Sequence, residues 1–148
     1  MRMSASSLLN EVRVKLHARG ERMTRPRQAV LAVLTEDPRH RSAEEIVAAV
    51  ARRDPSVHRA SVYRTLEALT HLGVVQHVHL SHGATTFHLV TDHREHLHLQ
   101  CTSCGNITDV PTNLLSSTAK RLSETYDFVL DLGHVALSGQ CANCRHLE

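Results

Sequence analysis

Aromatic residues are scarce in this chain, and tryptophan is absent. Phenylalanine and tyrosine together contribute 3% of the 148 residues, and no apolar run approaches the roughly 18 residues that a membrane-spanning helix needs. Residues 1–10 also lack the basic-then-apolar order of a secretion signal. We therefore expect a cytoplasmic protein that has no membrane partner.

Glycine and proline are also few, and the length sets a further limit. Six Gly and four Pro, with 41% hydrophobic and 22% charged residues, are typical of a globular chain and exclude a collagen-like or disordered one. A chain of this length forms one domain or two small ones, which excludes a large multidomain enzyme.

Histidine and cysteine are the residues that stand out. The chain has 13 His, and its four Cys form two Cys-x-x-Cys pairs, Cys101 with Cys104 and Cys141 with Cys144. Without a secretion signal, cysteines are metal ligands or redox thiols rather than a disulfide framework. Two pairs with matched spacing favour the metal alternative, a closed tetrahedral zinc site with a structural role.

Charge is unevenly distributed along the chain. Residues 1–90 hold 13 Lys and Arg against 8 Asp and Glu, whereas residues 91–148 hold 4 against 7. The net charge is therefore +5 in the first part and −3 in the second, which contains all four cysteines. A basic part beside an acidic part indicates that one of them meets a polyanion.

Hydrophobic spacing predicts four helices in the basic part of the chain. They span residues 4–17, about 24–37, 42–53 and 59–72. Capping signals support these bounds, because Pro26 suits a first helical turn and Ser42 with Glu45 forms a capping box. Gly73 is placed to end the fourth helix.

After the fourth helix the hydrophobic pattern changes to a period of two. Residues 74–80 and 85–89 predict two strands joined by a hairpin turn, which after the helices is typical of a winged helix-turn-helix. The acidic part then predicts a small α/β unit that metal, dimerisation or both should support. Its predicted elements are strands at 96–100 and 107–110, a helix at 113–126, and strands at 128–132 and 135–137.

Two pairs of histidines alternate on predicted strands. His77 with His79, and His96 with His98, each place both side chains on one face, about 7 Å apart at the backbone. Imidazole is a ligand that suits Ni, Zn, Cu and Fe alike. We interpret the two pairs as metal ligands rather than as the solvated face of a strand.

The fourth predicted helix has the composition of a DNA-reading helix. Arg59 and Arg64 are candidates for phosphate contacts. Ser61, Tyr63 and Thr65 are candidates for contacts to base edges and thymine methyl groups in a major groove.

These patterns predict an α/β (α+β) fold with two domains. The winged helix-turn-helix domain would cover residues 1–90 and bind DNA. A hinge at residues 91–95 would lead to a metal-binding α/β domain at residues 96–148, which metal, dimerisation or both should support.

Together the motifs resemble those of the ferric uptake regulator (Fur) family. They are Thr24-x-Pro26-Arg27, the run from Ser61 to Leu66, the His-rich strand before Cys101, and the closing Cys141-x-x-Cys144. The resemblance covers about residues 12–144. It implies a homodimeric, metal-responsive transcriptional repressor, in which a metal near the hinge sets the spacing of two DNA-binding domains on a palindromic operator.

Matching positions to the family implies two regulatory metal sites besides the structural zinc. The hinge site would consist of His40, His93, His96 and His98. The second site would consist of His77, His79 and His134. This second set is similar to that of the nickel-responsive branch, Nur, so the resemblance implies Ni²⁺ as the signal, with Zn²⁺ and Fe²⁺ as alternatives. It leaves His82, His88 and Glu95 unassigned.

Two other classes of protein remain as alternatives. One is an enzyme, either a metallohydrolase that uses the histidines or a thiol oxidoreductase that uses the cysteines. No helical His-Glu-x-x-His arrangement supports hydrolysis, and matched cysteine pairs favour zinc over redox chemistry. The other is a metal-storage protein, which the basic first part disfavours. We expect a repressor of metal homeostasis genes with no enzymatic activity.

Overall fold

A computed structural model describes residues 5–37, 39–79, 84–90 and 96–145. These residues form two compact units, one with residues 5–78 and 84–90 and the other with residues 79 and 96–145. None of the described helices is long and apolar enough to cross a lipid bilayer. The predicted hinge at 91–95 lies outside the described residues, so the domain boundary stays a prediction.

The first unit combines four helices with a three-stranded antiparallel sheet. Its helices are α1 (Ala5–Ala18), α2 (Arg25–Glu36), α3 (Ala43–Arg53) and α4 (Arg59–His71). Its strands are β1 (Arg41–Ser42), β2 (Val75–Val78) and β3 (Thr86–Leu89). The sheet order is β1-β3-β2, with β3 antiparallel to both neighbours. This is the predicted winged helix-turn-helix, with strands shorter than the sequence indicated.

The start of α2, the start of α3 and the end of α4 lie where the capping signals of the sequence indicated. The hydroxyl of Thr24 caps α2 by accepting a hydrogen bond from the backbone of Arg27. Ser42 and Glu45 cap α3 reciprocally. The backbone N–H of Ser42 donates to the Glu45 carboxylate at 2.7 Å, and the backbone N–H of Glu45 donates to the Ser42 hydroxyl at 3.2 Å. After α4 the chain turns at Gly73, whose φ of 68° is in the left-handed region that favours glycine.

The core of the first unit is formed by one apolar face from each helix. Burial of each large aliphatic side chain contributes about 1.5–3 kcal/mol, so the four helices are held in one arrangement. In this unit, the largest apolar side chains that are less than 2% exposed are Leu16, Leu31, Leu34, Ile46, Leu66 and Leu69. They fix the position of α4 against α2 and α3.

An ion pair joins the start of α2 to the end of α3. The guanidinium of Arg25 donates two hydrogen bonds to the carboxylate of Asp54, which also accepts from the Ser56 hydroxyl at 2.6 Å. These contacts lower the pKa of Asp54 to about 2, with the Arg25 bond as the main cause. Because this pKa lies below that of the unfolded chain, the contact is present above about pH 4 and is lost as the pH falls towards 2.

Substitution of Arg25 by alanine should therefore raise the pKa of Asp54 towards the ordinary value of 3.8. An NMR titration of the carboxyl carbons measures this value directly. Arg22→Ala is the matched control, because it removes an exposed neighbouring arginine that does not contact Asp54. Titration of Asp54 near 3.8 in the unaltered protein would contradict the contact.

The second unit is a small sheet with a helix. Its strands are β4 (His96–Cys101), β5 (Ile107–Pro111) and β6 (Ala136–Gly139), and its helices are α5 (Ser116–Tyr126) and the short α6 (Ala142–Arg145). The sheet order is β5-β4-β6, with β5 antiparallel and β6 parallel to the central β4. The predicted helix at 113–126 starts as a 3₁₀ turn, Thr112–Leu115, before α5.

The strand predicted at residues 128–132 is wrong. Residues 128–131 have no regular secondary structure and lead into a 3₁₀ turn, Leu132–His134. The side chains of Phe128 and Val129 are 53% and 86% exposed, so none of the described strands covers them. The prediction rested on apolar character, which a strand shares with a surface that another molecule covers.

Candidate metal centres and nucleic-acid interface

The four cysteines come together at one end of the second unit. Cys101 ends β4 and Cys104 lies in the turn after it, while Cys141 and Cys144 lie at α6. All four sulfur atoms lie within 4.8 Å of one another, and the Cys104 and Cys141 sulfurs are 3.8 Å apart. Tetrahedral zinc with bonds of about 2.3 Å places its sulfur ligands about 3.8 Å apart. The cluster therefore has the donor type and spacing that zinc requires.

Backbone hydrogen bonds shape the two turns and join them. The backbone N–H of Gly105 donates to the Cys101 carbonyl at 2.9 Å, which closes the first turn. The N–H of Cys141 donates to the Cys101 sulfur at 3.4 Å. The parallel register of β4 with β6 pairs Cys101 with Gly139, and so brings the second cysteine pair beside the first.

The surroundings of Cys101 and Cys144 shift the pKa values of these two thiols in opposite directions. Backbone N–H donors, first that of Cys141 and then that of Cys104, lower the pKa of the Cys101 thiol to about 6. The neighbouring sulfurs, first Cys141 and then Cys104, raise the pKa of Cys144 to about 12. Four thiolates cannot share this space without a cation, because each added negative charge opposes the next. Binding of a divalent ion would supply that charge and release protons.

A histidine pair and a carboxylate lie on the sheet of the second unit. The ring centroids of His96 and His98 on β4 are 4.8 Å apart, and the His98 side chain is fully buried. The antiparallel register sets His98 opposite Asp109 on β5, whose Oδ1 lies 3.0 Å from His98 Nδ1 and 4.0 Å from His96 Nε2. A proton on His98 Nδ1 that faces this carboxylate makes Nε2 the ligating atom. Sequence reasoning missed Asp109, because only the strand register brings it to His98.

A second histidine pair forms within the first unit. The rings of His40, next to β1, and His88 on β3 have centroids 4.4 Å apart. Pairing of β1 with β3 produces this contact, and His88 is one of the three residues that the sequence left unassigned. Asp37 binds both Arg39 and Arg41 on either side of His40, and these bonds hold its pKa well below the usual range. The segment that carries His40 is thereby tied to the end of α2.

The remaining predicted metal ligands stay a prediction. His93 lies outside the described residues. His77 lies on β2, and His79 is exposed just after that strand. His134 is exposed in the second unit, where its Nδ1 lies 2.8 Å from an Asp131 oxygen. His82 and Glu95, which the sequence left unassigned, also lie outside the described residues.

Four of the five predicted DNA contacts lie at the surface of α4. Arg59, Tyr63 and Arg64 are exposed and Ser61 is half-buried. These side chains therefore form a polar face on a helix whose other face belongs to the core.

The prediction of a base contact for Thr65 is wrong. Its side chain is only 5% exposed. With 3.6 residues per turn, position 65 lies on the same side of the helix as Val62, Leu66 and Leu69, which are all buried. The sequence suggested an outward position because threonine is polar, whereas the helical phase places it inside.

A carboxylate from α3 contacts two residues of this face. Glu44 Oε1 accepts hydrogen bonds from the Arg59 guanidinium and from the Tyr63 hydroxyl. The Arg59 guanidinium carbon also lies 5.5 Å from the centre of the Tyr63 ring. The bond to Glu44 raises the pKa of Tyr63, while the bonds from Tyr63 and then Arg59 lower the pKa of Glu44. Sequence reasoning missed Glu44, because only the packing of α3 beside α4 brings it there.

Comparison with known proteins identifies the family. The model of the ferric uptake regulator family matches residues 18–137. The ferric uptake regulation protein of Bacillus subtilis is 29% identical over 143 residues, which cover 95% of this chain and 96% of that protein. The zinc uptake regulation protein of Mycobacterium tuberculosis is 30% identical over 131 residues, which cover 88% and 99%.

A comparison of folds finds a similar solved structure. The structure of the Helicobacter pylori ferric uptake regulator matches with a TM-score of 0.80 and 22% identity, covering 98% of this chain and 97% of that one. The family match spans both units described above. This chain belongs to the ferric uptake regulator family, and it is a metal-responsive transcriptional regulator rather than an enzyme.

Proposed function

We propose that this protein is a nickel-responsive repressor of the Nur type, which binds palindromic operators of metal homeostasis genes in the cytoplasm as a homodimer. The observation that carries the proposal is the donor set, in which His40 contacts His88 and His96 contacts His98. Imidazole nitrogens suit Ni²⁺ and Zn²⁺, whereas oxygen-rich sets suit Mg²⁺, Ca²⁺ and Mn²⁺. Zn²⁺ and Fe²⁺ are the alternative signals, and the relatives named above are zinc and ferric uptake regulators.

The proposed hinge site consists of His40, His93, His96 and His98, and His88 joins it through its contact with His40. His40 and His88 are paired in the first unit, and His96 and His98 are paired in the second. Four ligands on two units can share one ion only in arrangements that bring them together. A metal therefore favours those arrangements by its differential affinity, and DNA affinity rises with metal if they are the ones that fit an operator.

The other two proposed metal sites have separate roles. The proposed structural Zn²⁺ site is the cluster of Cys101, Cys104, Cys141 and Cys144. Four thiolates fill the tetrahedral coordination of zinc and leave no open coordination position for a further ligand. The second regulatory site consists of His77, His79 and His134, which would add nitrogen ligands selective for nickel.

The polar face of α4 is the proposed DNA-reading surface. Arg59 and Arg64 supply positive charge for phosphates, and Tyr63 with Ser61 supplies groups for base edges. The basic first part of the chain, with a net charge of +5, favours approach to a polyanion.

Substitutions on α4 should distinguish residues that contact phosphates from residues that contact base edges. Arg64→Ala should weaken binding to every duplex roughly ten-fold and reduce the salt slope by about 1, because a phosphate contact is lost. Tyr63→Ala should lower the affinity for the operator more than the affinity for other duplexes, since a base contact contributes about 1–3 kcal/mol of discrimination. Fluorescence anisotropy at several salt concentrations measures both effects.

Arg121→Ala is the control for that experiment, because it removes an exposed arginine from α5 in the other unit. It should leave all affinities unchanged. An equal loss on operator and scrambled duplexes for both α4 variants would overturn the division of roles.

Selection from random duplexes tests the proposed function as a whole. Protein that retains its cysteine-bound zinc would be incubated with the pool and with Ni²⁺, Zn²⁺, Fe²⁺ or Mn²⁺ in turn. Enrichment of a palindrome with Ni²⁺ alone would support the nickel assignment. Enrichment with a different metal would replace nickel by that metal, and no enrichment with any of them would overturn the DNA-binding proposal.

A further inference from the structure

We propose that Glu44 is a specificity-determining residue, which holds Arg59 and Tyr63 in one arrangement and opposes their binding to the phosphates of non-operator DNA. The inference rests on the proposed function of α4 as the DNA-reading helix. It adds a residue of a different helix, with a charge opposite to the one that DNA binding requires.

The geometry places one carboxylate oxygen between two DNA-facing donors. Arg59 and Tyr63 are four residues apart on α4, so their side chains are neighbours on one face. Glu44 lies in the first turn of α3, and its Oε1 accepts from both. The Arg59 guanidinium lies near the Tyr63 ring, 5.5 Å from its centre, so the three side chains form one connected group.

This group lies at the surface rather than in the core. The side chains of Arg59 and Glu44 are 61% and 59% exposed. Exposed ion pairs of this kind contribute little to stability. The helix start is already secured by Ser42 and Glu45, which form the capping box. Stability of the fold therefore gives no strong reason for a carboxylate at position 44.

The chemistry of DNA supplies such a reason. A phosphate oxygen is an anionic acceptor like a carboxylate oxygen, and arginine and tyrosine both donate to phosphates. A phosphate that binds Arg59 must displace Glu44 or approach it against charge repulsion. Binding to arbitrary sequence depends almost entirely on phosphate contacts, so this penalty falls most heavily on non-operator DNA. Operator binding adds base contacts that offset it, and discrimination is the difference between the two affinities.

The test compares Glu44→Gln with the unaltered protein on the selected operator and on a scrambled duplex, both with saturating metal. We expect the variant to bind the scrambled duplex roughly five- to ten-fold more tightly and the operator less than about two-fold more tightly. The salt slope on the scrambled duplex should become steeper by about 1, because Arg59 gains a phosphate.

Two matched comparisons isolate the contact from the charge. Glu67→Gln removes an exposed carboxylate from α4 itself, which does not take part in the hydrogen bonds that join Glu44 to Arg59 and Tyr63, and should tighten both duplexes by the same factor. In an Arg59→Ala background, Glu44→Gln should lose its effect on discrimination, because the coupling runs through Arg59. Glu44→Asp keeps the charge at the helix start but shortens the side chain, and should also reduce discrimination.

A measurement without DNA checks the contact itself. In a Tyr126→Phe background, which leaves one tyrosine, an ultraviolet absorbance titration follows the ionisation of Tyr63. Glu44→Ala should move this ionisation to lower pH, towards the ordinary value of 10.0, because the hydrogen bond to Glu44 raises the pKa of Tyr63.

Failure of the inference and failure of the proposed function give different results. If the unaltered protein does not discriminate the two duplexes with any metal, the proposed function fails and the inference fails with it. If the unaltered protein discriminates and Glu44→Gln keeps the same ratio, or behaves as Glu67→Gln does, only the inference is overturned.

Discussion

Replacement of Cys101 by serine should release zinc and unfold the second unit, the largest stability effect that we expect for a single substitution. Cys101 is 4% exposed, ends the central strand β4, and accepts the N–H of Cys141. Among the described residues of this unit, Leu97 and Cys101 are the only buried apolar ones. A unit with so small a core depends on cross-links.

The size of this effect follows from the coupling of metal binding to folding. Structural zinc contributes about 10–16 kcal/mol of apparent binding free energy in small zinc domains, and loss of one ligand forfeits part of it. We expect loss of more than about 3 kcal/mol of stability in the second unit, and a fall in zinc content from one ion per chain towards none. Atomic emission and thermal unfolding measure the two quantities.

Ser103→Ala is the matched control for the cysteine substitution. Ser103 lies in the same turn and accepts a hydrogen bond from Gln140 at 3.2 Å, but it contributes no sulfur. This variant should keep its zinc and nearly all of its stability. Native zinc content and an unchanged unfolding midpoint in Cys101→Ser would refute the structural role.

Replacement of His98 should abolish the response of DNA binding to metal, the largest functional effect that we expect. His98 is fully buried and its Nδ1 is directed at Asp109, so its Nε2 is oriented before a metal arrives. Loss of a residue that only orients a metal ligand lowers metal affinity by about 10- to 100-fold. Loss of the ligand itself should have a larger effect, so His98→Gln should lower the affinity for the regulatory metal by at least about 100-fold. Operator affinity with metal should then equal that of the metal-free protein.

Two further variants make this result interpretable. Asp109→Asn keeps the ligand but removes the charge that orients it, so metal affinity should fall by about 10- to 100-fold. His71→Ala removes an exposed histidine at the end of α4 and should leave the metal response intact. Isothermal titration with Ni²⁺ and Zn²⁺, followed by operator binding, measures each step. A full metal response in His98→Gln, with cysteine-bound zinc retained, would exclude His98 as a ligand.

Exposed apolar residues in the second unit accord with the proposed homodimer. Val129, Tyr126 and Leu114 are 86%, 73% and 60% exposed in the single chain. Exposed apolar side chains are typical of a contact between proteins where they form a patch. The missing strand at residues 128–132 thus has a physical explanation, because the apolar residues that suggested it serve a surface rather than the sheet.

Short-range features were predictable from the order of residues alone. The Ser42 capping box, the Gly73 helix end and the hairpin strands depend on residues only a few positions apart, and they occur where the patterns indicated. The two cysteine pairs were also predictable from the sequence, since a Cys-x-x-Cys turn brings two sulfurs close together whatever surrounds it. Helical periodicity and capping depend on interactions between residues that are close in sequence, so the order of residues is sufficient to predict them.

Contacts between distant segments required the folded chain. The pairing of His40 with His88 follows from the register of β1 with β3, and that of His98 with Asp109 from the register of β4 with β5. The contact of Glu44 with α4 follows from packing between helices. Register and packing are set by the fit of whole apolar faces, so no motif of neighbouring residues encodes which polar groups they bring together.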